Sequence, residues 1–313
     1  MESNSQGKII DPVSVRVEDI ITPPKRHHWL IDLFIQMIKT KPLGAFGGML
    51  VLVMVLVAVL APMISTYDPN QIHGEKIVAP PSRTFYFGTD ALARDMFSRV
   101  VYGARVSITV GLGAVGLSTI LSTLIGILSG YFGGLFDTIV QRCVDAMMSF
   151  PWLVIMLTVM AILGPGQINV ILALAIAGFA GTSRVIRSAV LAIKESDYVT
   201  AAKAVGCKNR TILIRHILPN VAAPIIVMST LGLGNAILAE ASLSFLGFGV
   251  PPPAPSWGRM LSGDGINYML KGPWLAIFPG LAISAGVFGF NMLGDALRDL
   301  LDPKLTGGMR LRR

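Results

Sequence analysis

No charged side chain occurs between Asp145 and Arg184, and none from Val106 to Phe136. A bilayer core about 30 Å thick takes roughly 20 mostly apolar residues per helix. The second run is therefore long enough for one crossing, and the first is too long for one. Gly164-Pro-Gly-Gln167 interrupts that first run midway, and glycine with proline is the strongest local breaker of regular structure. The pattern predicts a helical hairpin, with spans at 146–163 and 168–190. The same reading places the other spans at 43–64, 106–128, 219–243 and 274–297. The expected fold class is all-α, a polytopic membrane protein with six transmembrane helices. A charged fraction of 14% supports this, because soluble domains carry about a quarter.

Basic residues set the orientation, since lysine and arginine gather on the cytoplasmic side. With the N-terminus inside, most of the 26 Lys and Arg fall in segments on the inner side. Arg184, Arg187, Lys194, Lys203, Lys208, Arg210 and Arg215 crowd between the fourth and fifth spans. The expectation is N-in and C-in. The organisation follows: a cytoplasmic tail at 1–42, a first span at 43–64, an external loop at 65–104, a five-helix core at 105–297 and a cytoplasmic tail at 298–313. Within the first tail, Trp29 to Ile38 has helical apolar spacing. It reads as a helix on the membrane surface or as one packed on the protein's own inner face. The net charge of +8 comes from this asymmetric distribution, which argues against nucleic acid as a partner. The first apolar run follows some 42 mostly polar residues and is too long for a signal core. It is expected to remain as the first span.

Several chemistries lack their residues. Cys143 and Cys207 have no disulfide framework around them. His27, His28, His73 and His216 lack metal-ligand spacing. No G-x-x-x-x-G-K-[ST] phosphate loop, H-E-x-x-H helix or nucleophile elbow is present. No cofactor is expected in this chain, and it is not expected to be an enzyme. Glycines four residues apart (Gly44 and Gly48; Gly126, Gly130 and Gly134) allow close helix approach, either within the chain or at a dimer seam.

The segment 196–206 is the most informative stretch between two spans. Ser196 is placed to cap a helix, Asp197 suits the positive end of its dipole, and Gly206 suits a left-handed stop. Tyr198, Ala201, Ala202 and Val205 recur at helical spacing and make a shallow apolar face. Leu218 and Pro219 lead into the fifth span, where proline is tolerated in a first turn. A short helix between two spans, on the basic side, could fit a groove on another protein or could be an ordinary amphipathic loop. Inside the spans stand Asn235, Glu240 and Asn291. An intramembrane carboxylate is costly. Glu240 could satisfy local donors or pair with a basic residue, or it could line a substrate route. The two asparagines fit interhelical hydrogen bonds or substrate contact.

At these residues the chain resembles the EAA loop of ABC-importer permeases, which docks on the ATPase subunit. Ala201, Ala202, Gly206, Leu218 and Pro219 match that pattern; Thr200 replaces its usual glutamate, and His216 replaces its isoleucine. Phe87-Gly-Thr-Asp-Ala-Leu-Ala-Arg-Asp95, with Ala93 at a usual glycine, looks like the external segment of dipeptide/oligopeptide permeases. Asp145 to Pro151, Ala239 to Gly247, Pro255-Ser-Trp-Gly258 and Leu293 to Pro303 are similar to the same family, most of all to its second permease subunit. The resemblance implies a type I ABC importer permease fold in a bacterial cytoplasmic membrane and half of a peptide pathway. It implies as partners a homologous permease, two ATPase subunits that bind ATP and Mg, an external substrate-binding protein and membrane lipid. Nickel importers resemble peptide systems, so nickel is the alternative cargo. An ion-coupled secondary transporter is the competing class; it often shows inverted repeats and intramembrane carboxylates, and here only Glu240 fits.

Overall fold

The computed structural model describes residues 37–74 and 76–301. Among the described residues five helices are long and apolar enough to cross a membrane, or six if a bent helix pair is one span. They are α1 (Pro42–Val59), α2 (Met96–Phe132), the bent pair α3 (Gly134–Met148) and α4 (Trp152–Leu163), α5 (Gln167–Lys194), α7 (Ala222–Phe245) and α9 (Trp274–Leu301). Two shorter helices matter below: α6 (Asp197–Ala204) and α8 (Trp257–Leu261). Among the described residues no strand forms. The expected surface helix at Trp29 to Ile38 lies outside the described residues except for its last two. So does the C-terminal tail beyond Leu301.

Two boundaries differ from the sequence reading. The span expected at 146–163 is broken: α3 ends at Met148, α4 begins at Trp152, and their axes differ by 92°. Pro151 stands between them. It has no N–H, and its ring disfavours helical backbone in the residue before it. The second difference is at the expected 104/105 boundary, which falls inside α2. Asp95 caps that helix, accepting the Ser98 N–H at 2.9 Å. The buried Arg99 sits 3.4 Å from Asp90, so the first turn of α2 carries a charge that the preceding loop pairs, and the helix starts before the uncharged run does.

Close glycine contacts set the packing. A Cβ on Gly126 would stand 2.7 Å from the Ser183 carbonyl and 2.9 Å from Ile186 Cβ. One on Gly130 would stand 2.9 Å from Val190 Cβ. These residues therefore join α2 to α5 within the chain. In the same way, Gly47 of α1 meets Gly289 and Met292 of α9, and Gly234 of α7 meets Asn291 of α9. The contacts make α1 and α7 antiparallel to α9, and α2 parallel to α5. Lys41, at the start of α1, reaches Asp299 near the end of α9 at 2.5 Å. Both ends of the described chain therefore lie at the same end of the bundle as α6. Large apolar side chains cover the outside of α1; Leu43, Met49 and Val59 are each more than half exposed. That surface suits lipid rather than water.

Candidate functional site

The helix α6 is short, and its anchoring residues are few. Val199 is fully buried and Ala202 is 7% exposed. They pack with Ile186 and Val190 of α5, Ile127 of α2, and Ile212, Ile217 and Val221 on the way into α7. One small face of α6 is thus keyed into the ends of three spans. Its C-terminus closes as a Schellman turn. The Gly206 N–H bonds the Lys203 carbonyl and the Cys207 N–H bonds the Ala202 carbonyl, both at 3.0 Å. Gly206 has φ +78°, in the region where an L side chain is strained. The N-terminus differs from the expectation. Ser196 occupies the cap position, but its hydroxyl donates 2.6 Å back to the Ile193 carbonyl and caps no N–H.

The other face of α6 is open. Tyr198, Thr200, Ala201, Lys203, Ala204 and Val205 are exposed, Val205 at 80%. The predicted apolar face therefore divides: Ala202 turns inward with Val199, while Tyr198, Ala201 and Val205 turn outward. Leu218 and Pro219 are also exposed. They lie in the turn before α7 and not in its first turn, because a single π turn (Leu213–Ile217) comes first. The Leu218 N–H bonds the Leu213 carbonyl at 2.9 Å; Pro219, without an N–H, ends that turn.

A second network fastens the same end. Arg187 of α5 clamps Asp137 of α3 through both nitrogens, Nε to Oδ1 at 2.6 Å and Nη2 to Oδ2 at 2.5 Å. The Ser129 hydroxyl of α2 also donates to Asp137, and Gln141 donates 3.1 Å to Ser129. One turn earlier, Arg184 pairs with Asp145. Bidentate Arg–carboxylate pairs fix geometry as well as charge. Contacts thus run from α6 through α5 and α2 to α3 and so to the bent pair.

The three polar residues within spans have different surroundings. Asn235 is exposed into a cavity of about 440 Å³ bounded by α2, α4, α5 and α7. Ser118, Thr119 and Thr182 are its other polar lining side chains, Trp152 and Met156 are among its apolar ones, and no charged residue lines it. Glu240 lies one turn and a half further along α7, fully buried and outside that cavity. Its Oε1 accepts hydroxyls from Ser244 at 2.6 Å and Ser256 at 2.7 Å. Among the described residues it pairs with no base, and it does not line that cavity. Asn291 stands across from Gly234 at the α7–α9 contact.

Sequence reasoning did not assign roles within the segment Pro255-Ser-Trp-Gly258. Ser256 holds Glu240. Trp257 donates 2.8 Å to the Val100 carbonyl and covers Gly103. A Cβ on Gly258 would stand 2.5 Å from Ala241 Cα. Three successive residues thus tie the loop after α7 to both α7 and α2. Ala93 explains another departure: its φ is +55°, where glycine is the easier residue.

The comparisons follow this geometry. The family described as "Binding-protein-dependent transport system inner membrane component" matches residues 122–307, more than half of the chain. The chain belongs to that permease family. A second description, "N-terminal TM domain of oligopeptide transport permease C", matches residues 30–81 of the permease. Among its relatives is the dipeptide transport system permease protein DppC of Alkalihalophilus pseudofirmus, 42% identical over 274 residues, which cover 88% of this permease and 90% of the relative. The probable D,D-dipeptide transport system permease protein DdpC of Escherichia coli K12 is 39% identical over 287 residues, covering 92% and 96%. The glutathione transport system permease protein GsiD of Escherichia coli O6:K15:H31 is 41% identical over 262 residues, covering 83% and 86%. A chain of the MetNI methionine ABC transporter, in an inward facing conformation, shares the fold with a TM-score of 0.54 at 17% identity; the match covers 66% of this permease and 98% of that chain. The permease is a multi-pass transmembrane subunit of an ABC importer and not an enzyme. Its family implies ATPase, binding-protein and second-permease partners, and no cofactor in this chain.

Proposed function

We propose that this permease forms half of the route by which a bacterial importer carries di- and oligopeptides across the cytoplasmic membrane. The other half is a homologous permease. Two ATPase subunits binding ATP and Mg supply the work, and an external binding protein supplies the cargo. The end carrying α6 faces the cytoplasm, with both termini. Thr200, Ala201, Ala202, Gly206, Leu218 and Pro219 form the coupling region, and Asn235 lies on the route. The peptide cargo rests on the names of relatives about 40% identical. The observation that carries the mechanism is the divided face of α6, keyed inward by Val199 and Ala202 and open outward at Tyr198, Ala201 and Val205. Closure of the ATPases would push α6, and α6 would pass the motion to α2, α5 and α7. Access then switches as a shift between two packings of the bundle.

The test is Gly206→Asp in the assembled importer. An added Cβ at Gly206 meets no atom within 4 Å. The substitution therefore strains the left-handed turn, by about 1–2 kcal/mol, and puts a charge beside the docking face without displacing the core. Basal ATP hydrolysis is expected to persist while uptake and stimulation by loaded binding protein are lost. Normal uptake with normal stimulation would refute the coupling role.

A further inference from the structure

At the end of the bundle opposite α6, a recess of about 290 Å³ opens between the segment before α2 and the proline-rich loop before α8. Asp90, Arg94, Arg99 and Arg259 line it, and the exposed Leu92, Pro252, Pro253 and Gly263 form its rim. Three guanidinium groups thus share one lining carboxylate. That carboxylate is fully engaged. Asp90 Oδ1 accepts the N–H groups of Leu92 and Arg94, each at 2.9 Å. Its Oδ2 accepts Arg94 Nε at 2.7 Å and stands 3.4 Å from Arg99 Nε. Arg259 makes only a long bond among the described residues, 3.4 Å from Nη1 to the Val250 carbonyl.

Positive charge held in a recess of low dielectric favours an anion. The planar fork of arginine matches a carboxylate in two-point geometry. The recess also stands away from the central cavity. Arg99 and Ala114 lie on the same helix, and at 1.5 Å per residue they are about 22 Å apart along its axis. A cargo end held here would not lie in the cavity. A side chain on a partner docked at this end would reach it directly, and the family description names a binding protein as the partner on which transport depends. We propose that this recess receives an aspartate or glutamate side chain of that binding protein, gripped by Arg94 and Arg259 beside the Asp90–Arg99 pair. The inference rests on the importer reading and on the orientation given with it.

The experiment uses the complete importer in lipid nanodiscs, titrated with its labelled binding protein at low and high salt. Arg259→Gln is the primary variant, because it removes one long bond and no anchor of the loop. It is expected to weaken binding at least ~10-fold at low salt, with Arg259→Lys retaining part of the affinity. Arg94→Gln with Arg259→Gln is expected to weaken binding further and to flatten its salt dependence. Recovery of the ATPase subunits with each variant establishes assembly. Equal affinities for wild type and Arg259→Gln would overturn the proposal. So would an effect confined to cargo, in which the variant loses discrimination between a free peptide and its C-terminal amide but keeps its affinity for the binding protein. Absence of binding by the wild-type complex would instead sink the importer reading itself.

Discussion

A buried carboxylate without a base depends on its donors. Glu240 is fully enclosed, and the two hydroxyls on its Oε1 come from Ser244, one turn away, and Ser256, on the loop beyond α7. The Ser244 bond is local to the helix, so it constrains little tertiary structure. The Ser256 bond crosses from loop to span and positions Trp257 over Gly103. Ser256→Ala leaves the acid with one donor in a site that water does not reach. Losing one partner of a buried hydrogen bond costs about 1–3 kcal/mol. The purified subunit should therefore melt earlier in detergent. Glu240→Gln should cost less, because an amide oxygen can accept both hydroxyls. An unshifted melting temperature for Ser256→Ala would show that the Ser256 bond does not hold the loop.

At the scale of elements, helix proximity depends on missing side chains. α2 and α5 approach so closely at Gly126 that a methyl group would meet backbone as well as side chain. Gly126→Val should force the helices apart and lower stability by about 1–3 kcal/mol, the usual cost of overpacking. Gly116→Val is the matched control, because nothing lies within 4 Å of its Cβ position; it should melt as the wild type does. Thermal denaturation of the purified subunit compares them, and equal melting of both variants would contradict the packing. The Gly126 and Gly130 spacing was legible in the sequence, as were the apolar runs that became α1, α2, α5, α7 and α9. What was not legible depends on distant groups. The helix α2 starts ten residues before the uncharged run at Val106, with Arg99 paired to Asp90 in another segment. Ser196 looked like a cap until the Ile193 carbonyl took its hydroxyl. Glu240 offered no hint of a partner sixteen residues ahead. Pro151 was visible, but it stands near the start of an uncharged run from Ala146 to Ser183, and that run hid a 92° bend.

For the whole molecule, the helix contacts decide which ends lie together, and the proposed orientation rests on where the basic residues gather. Lys41 beside Asp299, and α6 at the feet of α2 and α5, establish one common end without reference to a membrane. The proposed orientation, in which that end faces the cytoplasm, rests on the positive-inside tendency and on Lys194, Lys203, Lys208, Arg210 and Arg215, which all lie in or beside α6. Two single-cysteine proteins can test this, made after Cys143 and Cys207 are replaced by serine. One carries Thr84→Cys in the exposed loop before α2, and the other Glu195→Cys at the exposed start of the α6 segment. A thiol reagent that cannot cross the membrane should label position 84 in intact cells and leave position 195 unmodified. Inverted vesicles stripped of ATPase subunits should show the reverse. Labelling of position 195 from outside would place α6 beyond the reach of any cytoplasmic ATPase. The bundle would keep its architecture, but the proposed lever would have nothing to push it.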